Sequence, residues 1–330
     1  MEDVSTAAVE PLDESPAGPA REQAALPHRW LVTLSSPRYA YPFLALFGCV
    51  LFLINLGGYP LYTKGEPREA ITVFDILHGG GWILPMRAGV EIPSKPMMMQ
   101  WLAAIASIIA GNVSEFTVRL PSAIFAIAGI MVCYLYARKL FGEIVALVAA
   151  LILATSIQYG QAGDGARVDM TLTFFMEVAF FEFILFAEGL SGRRMLFYLA
   201  MAGAVLTKGP VGLILPVAAA SIWIVVQRRW DLIAKLALVR GALLVAILAG
   251  AWYLAATYIG GFDFFRKQIL AENLYRFFGG KGFHEGHEHT FLYVELALLI
   301  GFMPWTVLMP LVTAIAAWRP RKLDGRTVYL

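Results

Sequence analysis

Residues 120–137 read LPSAIFAIAGIMVCYLYA, and after Arg138 and Lys139 a second apolar run follows at 144–159, IVALVAALILATSIQY. Runs of this length approach the roughly 20 apolar residues that cross a bilayer as a helix. A cationic pair in the short connection between them marks a loop retained on the cytoplasmic side. Working outward, the same pattern recurs at 41–58, 171–187, 195–207, 211–226, 236–259 and 291–318, which gives eight expected crossings. Residues 97–110 form a shorter apolar stretch, of a length that suits an interfacial or re-entrant helix. The run at 195–207 is as short. It is counted as a crossing because Arg193-Arg194 and Arg228-Arg229 flank its hairpin with 211–226.

Composition agrees with lipid as the solvent. Hydrophobic residues make up 59% of the 330 positions and charged residues 15%, against about 25% charged in ordinary soluble domains. Residues 1–38 are rich in Ala, Pro, Glu and Ser and read as a disordered cytoplasmic tail. A transmembrane domain at 39–318 and a short cytoplasmic tail at 319–330 complete the expected organisation. Glu2 and Asp3 stand where a signal peptide would be cationic, so processing is not indicated. Cys49 and Cys133 lie inside apolar runs and read as small hydrophobes. The net charge of +2 is scattered, with no basic block to follow a nucleic-acid backbone, so nucleic acid is excluded as a partner.

The positive-inside rule sets the orientation. If 97–110 does not cross, Arg29 and Arg38, Arg138-Lys139, Arg193-Arg194, Arg228-Arg229 with Lys235, and Arg319, Arg321 and Lys322 all fall inside, and Arg266-Lys267 is the one cationic pair left outside. The expected protein is an all-α, multi-pass inner-membrane bundle with a cytoplasmic N-terminus and an outer-leaflet helix at 97–110. Three outward, periplasmic segments then hold the unusual polar residues: 61–96, 161–169 and 260–290. Long loops of this kind are commonly functional.

In the first segment Pro67 suits the first turn of a helix that runs to the glycine stop at Gly79-Gly80-Gly81, which puts Glu66 at a helix N-terminus. A charged carboxylate is stabilised there and can serve as a general base, although capping is the plainer role. Lys95, between Pro93-Ser94 and Pro96, can hold a phosphate as a point charge or snorkel at the lipid boundary. In the second segment Asp169 stands at the start of a span, where an ionisable group needs a cavity or a partner, and Arg167 is the expected partner. Lys208-Gly209-Pro210 turns the chain on the same side. The third segment holds Glu272, Asn273 and Arg276 and then His284, His287 and His289, a cluster that can bind a divalent metal or be simply polar.

In their order these residues resemble the membrane glycosyltransferases that use polyprenyl-phosphate sugars, the group containing the lipid A aminoarabinose transferases and the protein O-mannosyltransferases. Glu66, Arg68 and Ala70 look like that family's first acidic motif, Gly81-Trp82 with Pro85 its second, and Lys95-Pro96 with Trp101 its third. Arg119-Leu120-Pro121, Arg167 with Asp169, Lys208-Gly209-Pro210, Glu272-Asn273, Arg276-Phe277, Gly286-His287-Glu288-His289 and Pro304-Trp305 look like later landmarks. Gly65 stands where the family usually has an aspartate, and Met97 where it has a second proline. Either Glu66 serves alone, or the acceptor or activity differs. Relatives commonly continue past the eighth span, so part of the acceptor site is expected to be absent here or supplied by another protein.

The resemblance implies a GT-C-like bundle that moves a sugar from a polyprenyl-phosphate donor to a lipid, glycan or protein acceptor. It assigns catalysis to Glu66 and Asp169 and the donor phosphate to Lys95, Arg276 and Lys208. Arg68, Arg167, Glu272 and Asn273 are supporting residues. No cofactor is required, with a divalent metal at His287 and His289 as an option. The competing expectation is a lipid-linked-sugar binding protein or flippase without chemistry, which Gly65 favours.

Overall fold

The computed structural model describes residues 29–62, 65–275 and 291–318. Among them there is no strand, only an isolated bridge between Arg87 and Glu91. The apolar runs fold as helices because a helix satisfies its own backbone groups where water cannot. In chain order these are α1 (Arg29–Ser35), α2 (Pro37–Leu53), α3 (Glu66–Asp75), α4 (Met98–Ala110), α5 (Glu115–Phe141), α6 (Glu143–Ala154), α7 (Ile157–Asp164) and α8 (Val168–Ala187). They continue with α9 (Arg194–Lys208), α10 (Val211–Gln227), the short α11 (Asp231–Lys235) and α12 (Leu238–Phe265), and with two helices at Phe291–Gly301 and Met309–Trp318. Wider π-helical turns extend α3 through Ile76–Gly80 and α12 through Arg266–Tyr275.

The expected all-α bundle is therefore present. Helix α5 lies at its centre, packed against α2, α4, α6 and α8, and α9 packs against α8, α10 and α12. Small residues allow the close crossings. A methyl group on Gly212 of α10 would come within 2.4 Å of the backbone of Ala204 on α9. A charged seam closes the end away from α3: Glu182 of α8 accepts hydrogen bonds from Tyr136 and Ser191 and pairs with Arg193. Glu182 therefore pairs within the bundle.

Three expectations are corrected. Residues 29–35, read as part of a tail, are helical, and α2 starts at Pro37 after a 76° bend: Leu31 and Leu34 of α1 pack against the first core cluster, and Tyr134 donates to the carbonyl of Ser35 at 2.6 Å. The run at 144–159 is not one helix but two, α6 and α7, bent by 63°. The run at 291–318 is likewise bent, by 100°, at a break that contains Pro304, a residue with no N–H and no room for the preceding turn. The two breaks face one another. The amide of Ile157 donates to the carbonyl of Met303 at 3.1 Å, and the Trp305 indole donates to Thr155 Oγ1 at 2.9 Å. Irregular backbone inside an apolar bundle is tolerated where protein satisfies it in this way.

The close α9–α10 crossing can be tested by thermal unfolding in detergent. Gly212→Ala is expected to lose about 1–3 kcal/mol through overpacking against backbone. Gly250→Ala, where a methyl group meets nothing within 4 Å, is expected to be neutral or to gain up to about 1 kcal/mol.

Candidate active site

The loops at one end of the bundle are rooted on one side chain. Arg119, in the first turns of α5, is fully buried. A guanidinium has five N–H donors in a rigid fork, and five acceptors surround this one. They are the carbonyls of Leu56 (3.0 Å), Tyr59 (2.8 Å) and Pro60 (3.1 Å) and the two oxygens of Glu66 (2.8 and 3.3 Å). The Tyr59 ring lies against the cation at 3.8 Å. Glu66 also accepts from the amide of Ala166 at 3.0 Å, and the Tyr59 hydroxyl donates to the carbonyl of Asp164 at 3.1 Å. The chain after α2, the start of α3, α5 and the turn between α7 and α8 thus meet at one buried ion pair. Glu66 begins α3 as expected, and Pro67 sits in its first turn. Its oxygens accept from Arg119 and from the Ala166 amide, so the geometry makes it an anchor of this end of the bundle.

The chain beyond α3 is pinned in turn. The indoles of Trp101 and Trp252 donate to the consecutive carbonyls of Trp82 (2.6 Å) and Ile83 (2.9 Å). Leu84 packs in a cluster with Met97, Trp252 and Phe264. A turn follows in which Ala88 and Gly89 have positive φ. Asp75 accepts from the amide of Ala88 at 2.8 Å, while Glu91 pairs with Arg87 at 3.1 Å and Lys267 at 2.9 Å. The hydrogen bond from Lys267, helped by Arg87, holds the Glu91 carboxyl below its ordinary range. The buried Gln268 donates to the carbonyl of Pro93, which sets the backbone just before Lys95.

Between these pinned segments charged groups converge from five parts of the chain. Lys95 Nζ lies 3.3 Å from Glu272 Oε2, with both side chains about one-fifth exposed. Lys208, at the end of α9, lies 2.6 Å from Asp169 at the start of α8. Glu69 of α3 accepts a hydrogen bond from Gln100 of α4, whose side chain is buried. Burial pushes the Glu69 carboxyl above its ordinary range. The Gln100 hydrogen bond and the charges of Arg87 and Lys95 oppose that rise, and the negative charge of Asp169 adds to it.

Lys95, Lys208, Asp169 and Glu272 are thus brought together. Arg167 is exposed, and among the described residues the ion partner of Asp169 is Lys208 rather than Arg167. Arg68 is exposed on α3, near enough to act on Glu91. Arg276, His287, His289 and the side chain of Asn273 lie outside the described residues. Among the described residues no group of three or more His, Cys, Asp or Glu is placed to hold a metal ion. Arg119, Glu69, Gln100 and Arg87 were not singled out from sequence as site residues. Gln100 offered a signal, as a polar residue inside an apolar stretch. Arg119 was visible only as a landmark beside Pro121.

Two outcomes follow from this geometry. Arg119→Met, which leaves Glu66 buried without its cation, is expected to cost about 3–5 kcal/mol, read as lost thermal stability in detergent, and Glu66→Gln is expected to destabilise as well. At Glu91 the folded-state pKa lies below the ordinary 4.5. Its contribution is therefore complete above that value and lost as pH falls through the folded-state value. Faster amide exchange at residues 87–91 in that acidic window is the expected sign.

Residues 94–254 match the family described as dolichyl-phosphate-mannose-protein mannosyltransferase. The chain is 29% identical over 293 residues to an undecaprenyl phosphate-alpha-4-amino-4-deoxy-L-arabinose arabinosyl transferase of Edwardsiella ictaluri, covering 87% of this chain and 52% of that protein. It is 30% identical over 301 residues to the second such transferase of Pseudomonas fluorescens, covering 88% and 53%. The crystal structure of ArnT from Cupriavidus metallidurans bound to undecaprenyl phosphate superimposes with a TM-score of 0.75 at 23% identity, over 87% of this chain and 53% of that one. The chain spans about half the length of these relatives. In sequence and in fold it is a relative of the GT-C membrane glycosyltransferases that use polyprenyl-phosphate sugars.

Proposed function

We propose that the chain is a membrane glycosyltransferase that moves a sugar from a polyprenyl-phosphate donor to a hydroxyl of a lipid, glycan or protein acceptor. The observation that carries this reading is the meeting of Lys95, Lys208 and Arg87 with Glu69, Asp169 and Glu272 at one end of an apolar bundle. A lipid-linked phosphate needs both halves of that arrangement: apolar surface for its tail and fixed cations for its head. The donors in the relatives' names, and the undecaprenyl phosphate bound to the solved relative, support the same donor class.

In this scheme the acceptor oxygen attacks the anomeric carbon as the bond from that carbon to the phosphate oxygen breaks. The bonding pair leaves with the polyprenyl phosphate, and a carboxylate of the site takes the acceptor's proton. A single displacement inverts the sugar carbon. Charge grows on the phosphate as the bond breaks, and preorganised cations are often the largest catalytic contribution in such a step. Lys95 has this role first, then Arg276 and Lys208 by their place in the sequence, and Asp169 orients the sugar or the acceptor. The scheme requires no metal and accommodates one at His287 and His289. The site faces the periplasm of an inner membrane in this reading, with the Arg and Lys pairs of the short loops on the cytoplasmic side.

A second reading, a non-catalytic binder or flippase of lipid-linked sugars, is favoured by Gly65 and by the engagement of Glu66 with Arg119. Vesicles holding the protein, labelled polyprenyl-phosphate sugars and a mixed pool of acceptors separate the two. Glycosylated product with release of polyprenyl phosphate is expected from wild type. Lys95→Ala is expected to bind undecaprenyl phosphate about ten- to a hundredfold more weakly, the range of one charged hydrogen bond. Donor binding without any release would favour the second reading, and unchanged affinity in Lys95→Ala would remove Lys95 from the phosphate.

A further inference from the structure

We propose that Glu69 is the general base of this transfer, taking the acceptor's proton as its oxygen bonds to the sugar. The inference rests on the glycosyltransferase reading above. It starts from what the other carboxylates around the site are doing. Glu66 is bound to Arg119, Glu91 to Arg87 and Lys267, Glu272 to Lys95, and Asp169 to Lys208 at 2.6 Å, while Asp75 accepts from the Ala88 amide and Asp164 lies on the far side of the Arg119–Glu66 pair, at the end of α7. A carboxylate held against a cation at such distances must give up that pairing to receive an acceptor's proton.

Glu69 differs in kind. Its hydrogen-bond donor is the neutral amide of Gln100, and Arg87 and Lys95 reach it through longer-range attraction. A neutral donor fixes the carboxylate's direction without cancelling its charge. The amide oxygen of Gln100 is itself buried and has no hydrogen-bond partner among the described residues. Such an atom is costly unless something fills the need. Beside a base, a second hydroxyl of a bound sugar or acceptor would do so. The angle of Glu69 is fixed from below, because Glu66 lies one helical turn earlier on α3 and is clamped to Arg119.

The step balances. The acceptor O–H bond breaks and its proton passes to a Glu69 oxygen. The acceptor oxygen bonds to the anomeric carbon, and the phosphate leaves with the electron pair toward Lys95. The groups that face Glu69 are Arg87 and Lys95 from the loop before α4, Gln100 from α4 and Asp169 from α8, with Arg119 of α5 occupied by Glu66. Burial, the leading influence, makes Glu69 a stronger base than a solvated glutamate. The transfer rate should therefore rise with pH along an acidic limb centred above 4.5, the ordinary glutamate value.

The test uses the full chain in vesicles, with undecaprenyl phosphate carrying aminoarabinose, mannose or glucose. It compares wild type, Glu69→Gln and Glu69→Asp for transfer, undecaprenyl phosphate binding, melting temperature and pH profile. Glu69→Gln is expected to lose about a hundredfold or more in transfer, the usual worth of a general base, with phosphate binding within about threefold of wild type. Its residual rate is expected to lack the acidic limb, and Glu69→Asp to recover part of the rate together with that limb. Transfer by Glu69→Gln within about threefold of wild type, or a loss matched by an equal loss of binding, overturns the assignment. If Glu69→Gln does not fold, a wild-type profile with no limb above 4.5 overturns it as well. A wild type that transfers none of the three sugars overturns the glycosyltransferase reading and the role of Glu69 together, whereas normal transfer by Glu69→Gln overturns only the latter.

Discussion

The end of the bundle that carries the candidate site hangs from the ion pair of Arg119 and Glu66. The pair is fully removed from water, a state that stabilises a fold only when every donor and lone pair finds a partner. Here the partners come from the chain itself: three carbonyls after α2, an amide before α8 and the Tyr59 ring. A lysine has no planar fork and cannot address three carbonyls and a carboxylate together. The pair therefore fixes where α3 begins and, through α3, the direction of everything that helix carries.

From that root the loops are fastened in order of decreasing burial. The two indole hydrogen bonds and the cluster around Leu84 hold the chain against α4 and α12 with groups that do not titrate. The contacts of the half-exposed Glu91 with the buried Arg87 and the partly exposed Lys267 depend on charge. The charged cluster of Lys95, Lys208, Asp169 and Glu272 is partly exposed, and its lysines and carboxylates are close enough to compensate one another.

Much of the architecture was legible because lipid imposes a simple code. Long apolar runs with Arg and Lys at their short connections mark most of the helices, and Pro67 with the three glycines brackets α3. The breaks were not legible. Thr155-Ser156 interrupts its apolar run only mildly, and the partners that make the break tolerable lie 150 residues away. The helix at Arg29–Ser35 was hidden for a similar reason, since its few apolar residues matter only once the core is present. At the site, Lys95, Lys208 and Asp169 stood out as charges at the edges of apolar runs. Their pairing did not, because Asp169 meets a lysine 39 positions away rather than the arginine two positions before it. The partner of Glu66 was likewise out of local reach, 53 positions on. Local sequence shows that a charge needs an explanation, and only the fold shows which neighbour supplies it.

The facing breaks in the two bent helix pairs also bear on how the chain is made. The Ile157 amide, at the bend between α6 and α7, finds its backbone acceptor at Met303, and Thr155 receives its indole from Trp305. A ribosome delivers those partners only after α8 to α12 have left the exit tunnel. Until then the bend is an incomplete piece of backbone in an apolar setting, which water, lipid head groups or an insertase must shelter. The helices at 291–318 therefore act as a closing stitch: their arrival, rather than the insertion of each earlier segment, is when the bend between α6 and α7 acquires its final partners.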